Sequence, residues 1–242
     1  MKADMEQQRT LLELVGLDAE LTRIDHRARH LPEQQRLEAV QGEHQDANDR
    51  LAALRIAIDD LNAQIGKLES EIDSVRQRED RDRALLESGS VSAKQLNDLQ
   101  HELETLQRRQ ADLEESQLEL MERREELTTE QNEALARIDE LQTQLREAQQ
   151  ALDAATAELD GTRSERLARR EALVAALDAA LVERYEKQRA RGGPGAGALQ
   201  GRQCGACRIE IDRGELARIN AAPADEVLNC PECGAILLRV KA

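Results

Sequence analysis

Apolar residues recur at alternating three- and four-residue steps over most of the chain. From Leu96 the steps reach Leu99, Leu103, Leu106, Leu113, Leu120, Leu127, Ile138, Leu141 and onward to Leu159. Fifteen of the nineteen positions visited are apolar, with neither Gly nor Pro between the ends. A 3.5-residue repeat sustained this long predicts a left-handed coiled coil. The four polar exceptions, Gln110, Gln117, Arg124 and Gln131, share one heptad position. They read either as a wetter stretch covered by long aliphatic stems or as a partner-facing layer. The first half repeats the pattern through Val40, His44, Ala47, Leu51, Leu54, Ile58, Leu61, Ile65, Leu68, Ile72 and Val75, with His44 its polar exception. Upstream, Leu14, Leu17, Leu21, Ile24, Ala28 and Leu31 form a separate register that Pro32 cuts.

Between the two long segments lies "ESGSVSAKQL". Gly89 can end a helix in the left-handed conformation. Ser92 can cap the next helix, with Gln95 three residues on completing a capping box and Val91 and Leu96 placed as a hydrophobic staple. Stop and start signals this close predict a turn near 88–92 and an antiparallel hairpin, with an arm of roughly 80 Å over residues 33–88 at the α-helical rise. A kinked rod pairing in parallel is the competing arrangement. Beyond Gly161 the helix is expected to resume, with Leu167, Val174, Leu177, Leu181 and Tyr185 on one side. Residues 162–191 would then lie beside 1–31 as a base bundle. The expected organisation is a helical hairpin over 1–191, a flexible Gly-rich linker over 192–201 ("GGPGAGALQG"), and a separate small structure over 202–242.

Composition sharpens this picture. In 242 residues Tyr185 is the sole aromatic side chain and 34% of residues are charged, so burial must come from a narrow Leu/Ile/Ala seam. The fold class is therefore mainly α, a long antiparallel coiled-coil hairpin with a small C-terminal β element. The net charge of −15 falls entirely within residues 1–199, because residues 200–242 carry six basic and six acidic groups. No apolar run is long enough for a membrane span, and "MKADMEQQRT" lacks the apolar core of a secretory signal. A cytoplasmic location is expected, with no membrane insertion, and in that compartment cysteines are metal ligands more often than disulfides.

All four cysteines sit near the C-terminus, as Cys204-x-x-Cys207 and Cys230-x-x-Cys233 with twenty-two residues between the pairs. Two such knuckles complete a tetrahedral thiolate shell about one Zn²⁺. In "CPECG", Gly234 can take positive φ and turn backbone N–H groups toward sulfur. "RIEI" and "AILLRV" are short β-type runs, and "DRGELARINAA" can form a helical turn. This is the layout of a zinc ribbon. A redox C-x-x-C normally comes singly beside a βαβ unit, a rubredoxin-like iron site packs an aromatic core, and disulfides need export. Four thiolates close the coordination shell, so the zinc is structural, and the ribbon is expected not to fold without it.

Weaker candidates surround these. His26 and His30 stand i, i+4 on a helix without an evident third ligand. Arg163, Arg166, Arg169 and Arg170 can form a basic patch with Arg23, Arg27, Arg29 and Arg36, although a salt-bridged face is the simpler reading. Arg76, Arg78, Arg81 and Arg83 alternate with acids at the hairpin end. No Ser/His/Asp set, phosphate-binding glycine loop or carboxylate pair is legible. Neither an enzyme nor a small-molecule substrate is expected.

Three stretches together carry a resemblance: "VSAKQLNDLQHELETLQRRQADLEESQLELMERREEL" after the turn, "ALVERYEKQRARG" before the ribbon, and the four cysteines. The chain resembles the bacterial C4-type zinc-ribbon coiled-coil hairpin family, also called zf-RING-like. The family's last knuckle usually reads C-P-x-C-G-R-I-L, whereas here it is "CPECGAILL", with Ala235 in place of the Arg. The resemblance implies a non-enzymatic adaptor or chaperone-like scaffold for protein partners. Relatives are associated with flagellar or secretion components, a sigma factor or RNA, and only the zinc ligands carry over residue by residue. The alternative is a nucleic-acid-binding regulator acting through the base patch and Arg202, Arg208, Arg213, Arg218, Arg239 and Lys241. With no aromatic stacking platform and a neutral ribbon, such binding would be weak and salt-dependent.

Overall fold

The computed structural model describes residues 1–239. The elements run in the order α1 (Met5–Arg29), α2 (Pro32–Glu87), α3 (Ala93–Ala176), α4 (Ala179–Arg189), β1 (Ala196–Gln200), β2 (Gln203–Cys204), α5 (Arg213–Ala221), β3 (Leu228–Asn229) and β4 (Ile236–Leu238). Two compact units divide the chain, one of residues 36–149 and one of residues 1–35 with 150–242. Among the described residues no helix is long and apolar enough to cross a membrane.

Local chemistry accounts for most of the helix boundaries. Asp4 caps α1, accepting from the Gln7 backbone N–H at 2.8 Å. Pro32 is the first residue of α2, where its missing N–H costs nothing. At the turn Gly89 has φ +65°. Ser92 and Gln95 then bond reciprocally: the Ser92 N–H donates to Gln95 Oε1 at 2.9 Å, and the Gln95 N–H donates to Ser92 Oγ at 3.4 Å. The helices α2 and α3 form the antiparallel hairpin. Leu51, Leu54, Ile65 and Ile72 are buried on one helix and Leu113, Leu127, Ile138 and Leu141 on the other. Gln110, Gln117, Arg124 and Gln131 are half-buried in this seam; Gln117 donates to Glu69 across the hairpin at 3.3 Å.

Two expectations about this region change. The helix does not pause at Gly161, because α3 runs through it to Ala176. It breaks instead at Leu177–Asp178, where Asp178 caps α4 by accepting from the N–H groups of Ala180 and Leu181. The Gln7 side chain of α1 patches the break. Its amide donates to the Ala176 carbonyl at 3.0 Å and its Oε1 accepts from the Asp178 N–H at 2.8 Å.

The expected linker over 192–201 is also corrected. Residues 196–200 are β1, an inner strand of a four-stranded sheet ordered β2-β1-β4-β3. Strand β1 runs parallel to β4, with Gly197 opposite Leu237, and antiparallel to β2. The small residues there serve close packing. A Cβ on Gly197 would stand 2.5 Å from the Ala206 nitrogen, and one on Gly205 2.6 Å from the Ala198 oxygen. Composition alone reads such residues as flexible because it does not show what they pack against.

The ribbon does not hinge freely. Leu11, Leu14 and Leu17 of α1, Leu173 of α3, Leu181 and Tyr185 of α4, and Ala196, Val227, Ile236 and Leu238 of the ribbon form one buried cluster. Residues 1–3 extend the arrangement. The Ala3 N–H donates to the Asp225 carbonyl at 2.7 Å, the Val227 N–H donates to the Met1 carbonyl at 3.1 Å, and Lys2 pairs with Asp225 at 2.8 Å. Buried Gln8 donates to the carbonyls of Ala3 and Ala224 and accepts from the Arg239 N–H.

Candidate metal centre

The two knuckles are built alike from the backbone upward. In the first, the Arg208 N–H donates to the Cys204 carbonyl at 2.7 Å and the Cys204 N–H donates to the Ile209 carbonyl at 3.1 Å. In the second, the Gly234 N–H donates to the Cys230 carbonyl at 2.9 Å and the Cys230 N–H donates to the Ala235 carbonyl at 2.8 Å. The residue after each second cysteine takes positive φ: Gly234 at +74°, as its residue type suggests, and Arg208 at +62°. Nothing in the sequence marks Arg208 for this conformation, which only a few per cent of non-glycine residues adopt.

These turns bring Cys204, Cys207, Cys230 and Cys233 together, with all four sulfurs within 4.8 Å of one another. Cys204 and Cys233 are 4.0 Å apart, as are Cys207 and Cys230. A tetrahedron with the usual Zn–S length of about 2.3 Å has S···S edges of about 3.8 Å, so the spacing fits that ion. It is also about twice a disulfide bond length. Cys204 and Cys230 are buried against Ile211, Ile219 and Leu237, while Cys233 is exposed.

The surroundings tune the thiols unequally. Although Cys233 is exposed as a residue, partial desolvation of its sulfur pushes the thiol up to about 12, and burial raises Cys204 although the N–H groups of Cys207 and Ala206 point at its sulfur. The Ile209 N–H lowers Cys207. Four thiols held this close cannot all ionise unaided, and a divalent cation is what makes four thiolates favourable. Among the described residues no other group of three or more His, Cys, Asp or Glu side chains is placed to hold a metal.

The other sequence candidates fall elsewhere. The rings of His26 and His30 lie 4.7 Å apart on an exposed stretch. The arginines of α3 are matched to acids of α1: Arg163 to Asp25 and Arg166 to Glu20 at 2.9 Å, Arg169 to Glu13 at 3.2 Å, and Arg170 to Asp18 at 2.7 Å. Arg23 and Arg27 line an open groove with Arg166. Within the ribbon, Arg202 pairs with Glu210 and Arg218 with Glu215. Arg239 turns inward to the carbonyls of Ile219, Ala222, Pro223 and Glu226, closing the end of α5. Lys241 lies outside the described residues. Ala235 is buried beside a cleft that Gln188 and Arg191 share with Cys207 and Cys233.

Sequence reasoning missed Asp18. This buried carboxylate accepts from Tyr185 Oη at 2.8 Å and from Arg170 Nε at 2.7 Å, and it pairs with Arg189 at 3.3 Å. A lone aromatic in a coiled-coil chain was the one available signal.

Comparison with known proteins agrees with this construction. Residues 14–193 match the CT398-like coiled coil hairpin domain, and residues 203–237 match the C4-type zinc ribbon domain. A protein of Mycobacterium tuberculosis is 61% identical over 241 residues, covering 100% of this chain and 98% of its own length. A solved structure from Mycobacterium smegmatis is 66% identical with a TM-score of 0.87, covering 99% of this chain and all of its own. The structure of CT398 from Chlamydia trachomatis shares the fold at 16% identity, with a TM-score of 0.71 over 97% of this chain and 98% of its own.

Proposed function

Because the chain belongs to the CT398-like coiled coil hairpin family and carries its C4-type zinc ribbon, we propose that it is a non-enzymatic, cytoplasmic scaffold or chaperone-like adaptor for protein partners. One structural Zn²⁺, held by Cys204, Cys207, Cys230 and Cys233, keeps the ribbon folded. The observation that carries this reading is the hairpin itself. Helices of 56 and 84 residues bury only a narrow seam, leaving long helical flanks available for contact. A closed four-thiolate shell has no open position at which a substrate could bind metal, which supports a structural ion. The nucleic-acid alternative draws less support, since the base arginines are matched to carboxylates on α1 and Arg239 is engaged internally.

The test is a crosslinked pull-down with the full chain, with and without nuclease. Truncation at residue 198 would cut β1 and open the core, so the ribbon surface is probed by Ile209→Glu at a half-exposed apolar position. A protein retained after nuclease treatment is the expected result. Recovery that depends on nucleic acid would sink the scaffold reading.

A further inference from the structure

The hairpin has two unlike sides. On one, four ion pairs join the helices: Glu43–Arg137 at 2.8 Å, Arg50–Glu130 at 3.0 Å, Glu71–Arg109 at 3.2 Å, and Arg78–Glu102. All eight residues occupy the heptad position just before the first core position, where antiparallel helices meet edge to edge. On the other side Arg76 pairs with Glu114, and Gln117 reaches Glu69. Between Leu118 and Leu135, no ion pair or side-chain hydrogen bond joins the helices on this second side among the described residues.

That open stretch carries apolar side chains. Leu118 is 60% exposed, Met121 36% and Leu135 39%, with half-buried Thr128 between them. Each follows a core residue by one position, so they form a single stripe of about 25 Å along α3 at the helical rise. The opposite flank of the same helix is polar throughout, through Ser116, Glu119, Arg123, Glu126, Glu130 and Glu133. Apolar residues confined to one flank, on the side the ion-pair ladder leaves open, form an unpartnered helix face.

Charge identifies the occupant. Residues 36–149 hold 15 Lys and Arg against 28 Asp and Glu, so they carry −13 of the chain's −15. Glu115, Glu122, Glu125 and Asp139 stand beside or within the stripe. A second copy of this hairpin would bring the same negative field against itself. We propose that the stripe from Leu118 to Leu135 docks a basic amphipathic helix of a partner protein, whose apolar face covers Leu118, Met121 and Leu135 and whose Lys and Arg side chains meet the bordering acids. The inference rests on the scaffold reading and names the surface and the partner chemistry.

The test uses the full chain and two fluorescent peptides of about 18 residues, a length set by the stripe at the helical rise. One is a Leu/Lys amphipathic helix and the other has the same composition with its leucines scrambled around the helix. Fluorescence anisotropy should show the amphipathic peptide binding at least about tenfold tighter, the scale of a few buried anchors. The Leu118→Gln/Leu135→Gln chain should lose most of that preference. Ile56→Gln, which removes a 64%-exposed apolar side chain elsewhere on the hairpin, should keep it, and far-UV circular dichroism checks that each variant stays helical. Equal affinity for the two peptides, no measurable binding, or a preference unmoved by the double variant would overturn the face, as would dimerisation of the free chain that the double variant abolishes. The native pull-down separates the two readings. A partner retained equally by the double variant leaves the scaffold standing and the stripe wrong. Failure to retain any protein counts against the scaffold, while the peptide titration still decides the face.

Discussion

Asp18 and Tyr185 show how a buried charge becomes tolerable. Asp18 is 4% exposed and Tyr185 fully buried, and a carboxylate withdrawn from water is stable only when paired and hydrogen-bonded. Arg170 and Arg189 supply the charge and Tyr185 Oη a further donor. Burial first, and the bond to Asp18 second, hold the Tyr185 phenol well above its ordinary value, while Asp18 before all else raises the Arg170 guanidinium. A folded-state value raised above the unfolded one means that Tyr185's contribution is fully present below the unfolded phenol value of about 10. It is lost as pH rises beyond that. Urea denaturation at a series of alkaline pH values should show stability declining above about pH 10, with Tyr185→Phe removing part of the decline. At neutral pH the same substitution should cost about 2 kcal/mol, the scale of a hydrogen bond to a charged group. Identical alkaline profiles for the two proteins would assign the decline to other groups. Tyr185 was legible as an apolar-side residue. Asp18 was not, because its partners lie more than 150 residues away along the chain.

Glycines separate the helices from the strands at the next scale. Within α2, Gly66 has nothing within 4 Å of where a Cβ would stand, whereas a Cβ on Gly197 in β1 would meet backbone at 2.5 Å. Gly66→Ala should therefore stabilise by up to about 1 kcal/mol through helix propensity. Gly197→Ala should destabilise by about 2 kcal/mol or more through overpacking. Thermal melts of the two variants should move in opposite directions, and a shared sign would contradict the packing assigned to β1. The hairpin turn was legible in detail because Gly89, Ser92 and Gln95 act on their own neighbours. The break at Leu177–Asp178 was not, since it depends on Gln7 of α1 bonding to both sides of it.

In the unit of residues 1–35 and 150–242, the ribbon and the helices share one core, so the metal centre bears on more than the ribbon. Ile236 and Leu238 pack with Leu11, Leu14 and Tyr185, while the neighbouring Leu237 packs with Cys204 and Cys230. One zinc per chain is expected by metal analysis. Chelation or Cys204→Ser should remove it and lower the unfolding temperature of this unit, while the helical signal of residues 36–149 persists to higher temperature. Loss of metal with no change in that unit's melting would mean that the ribbon's core packing stands without the ion. The order of residues by itself determined the heptad seam, the turn that folds α2 back on α3, and the two knuckles, because each is written in spacings of two to four residues that act through local backbone geometry. Only the tertiary structure decided that 196–200 is a packed strand, that Arg239 closes α5, that Asp18 is a buried hub, and that residues 1–3 pair with 225–227. These depend on groups meeting across roughly 10 to 230 positions of chain, where spacing carries no information and fit, burial and charge pairing select the outcome.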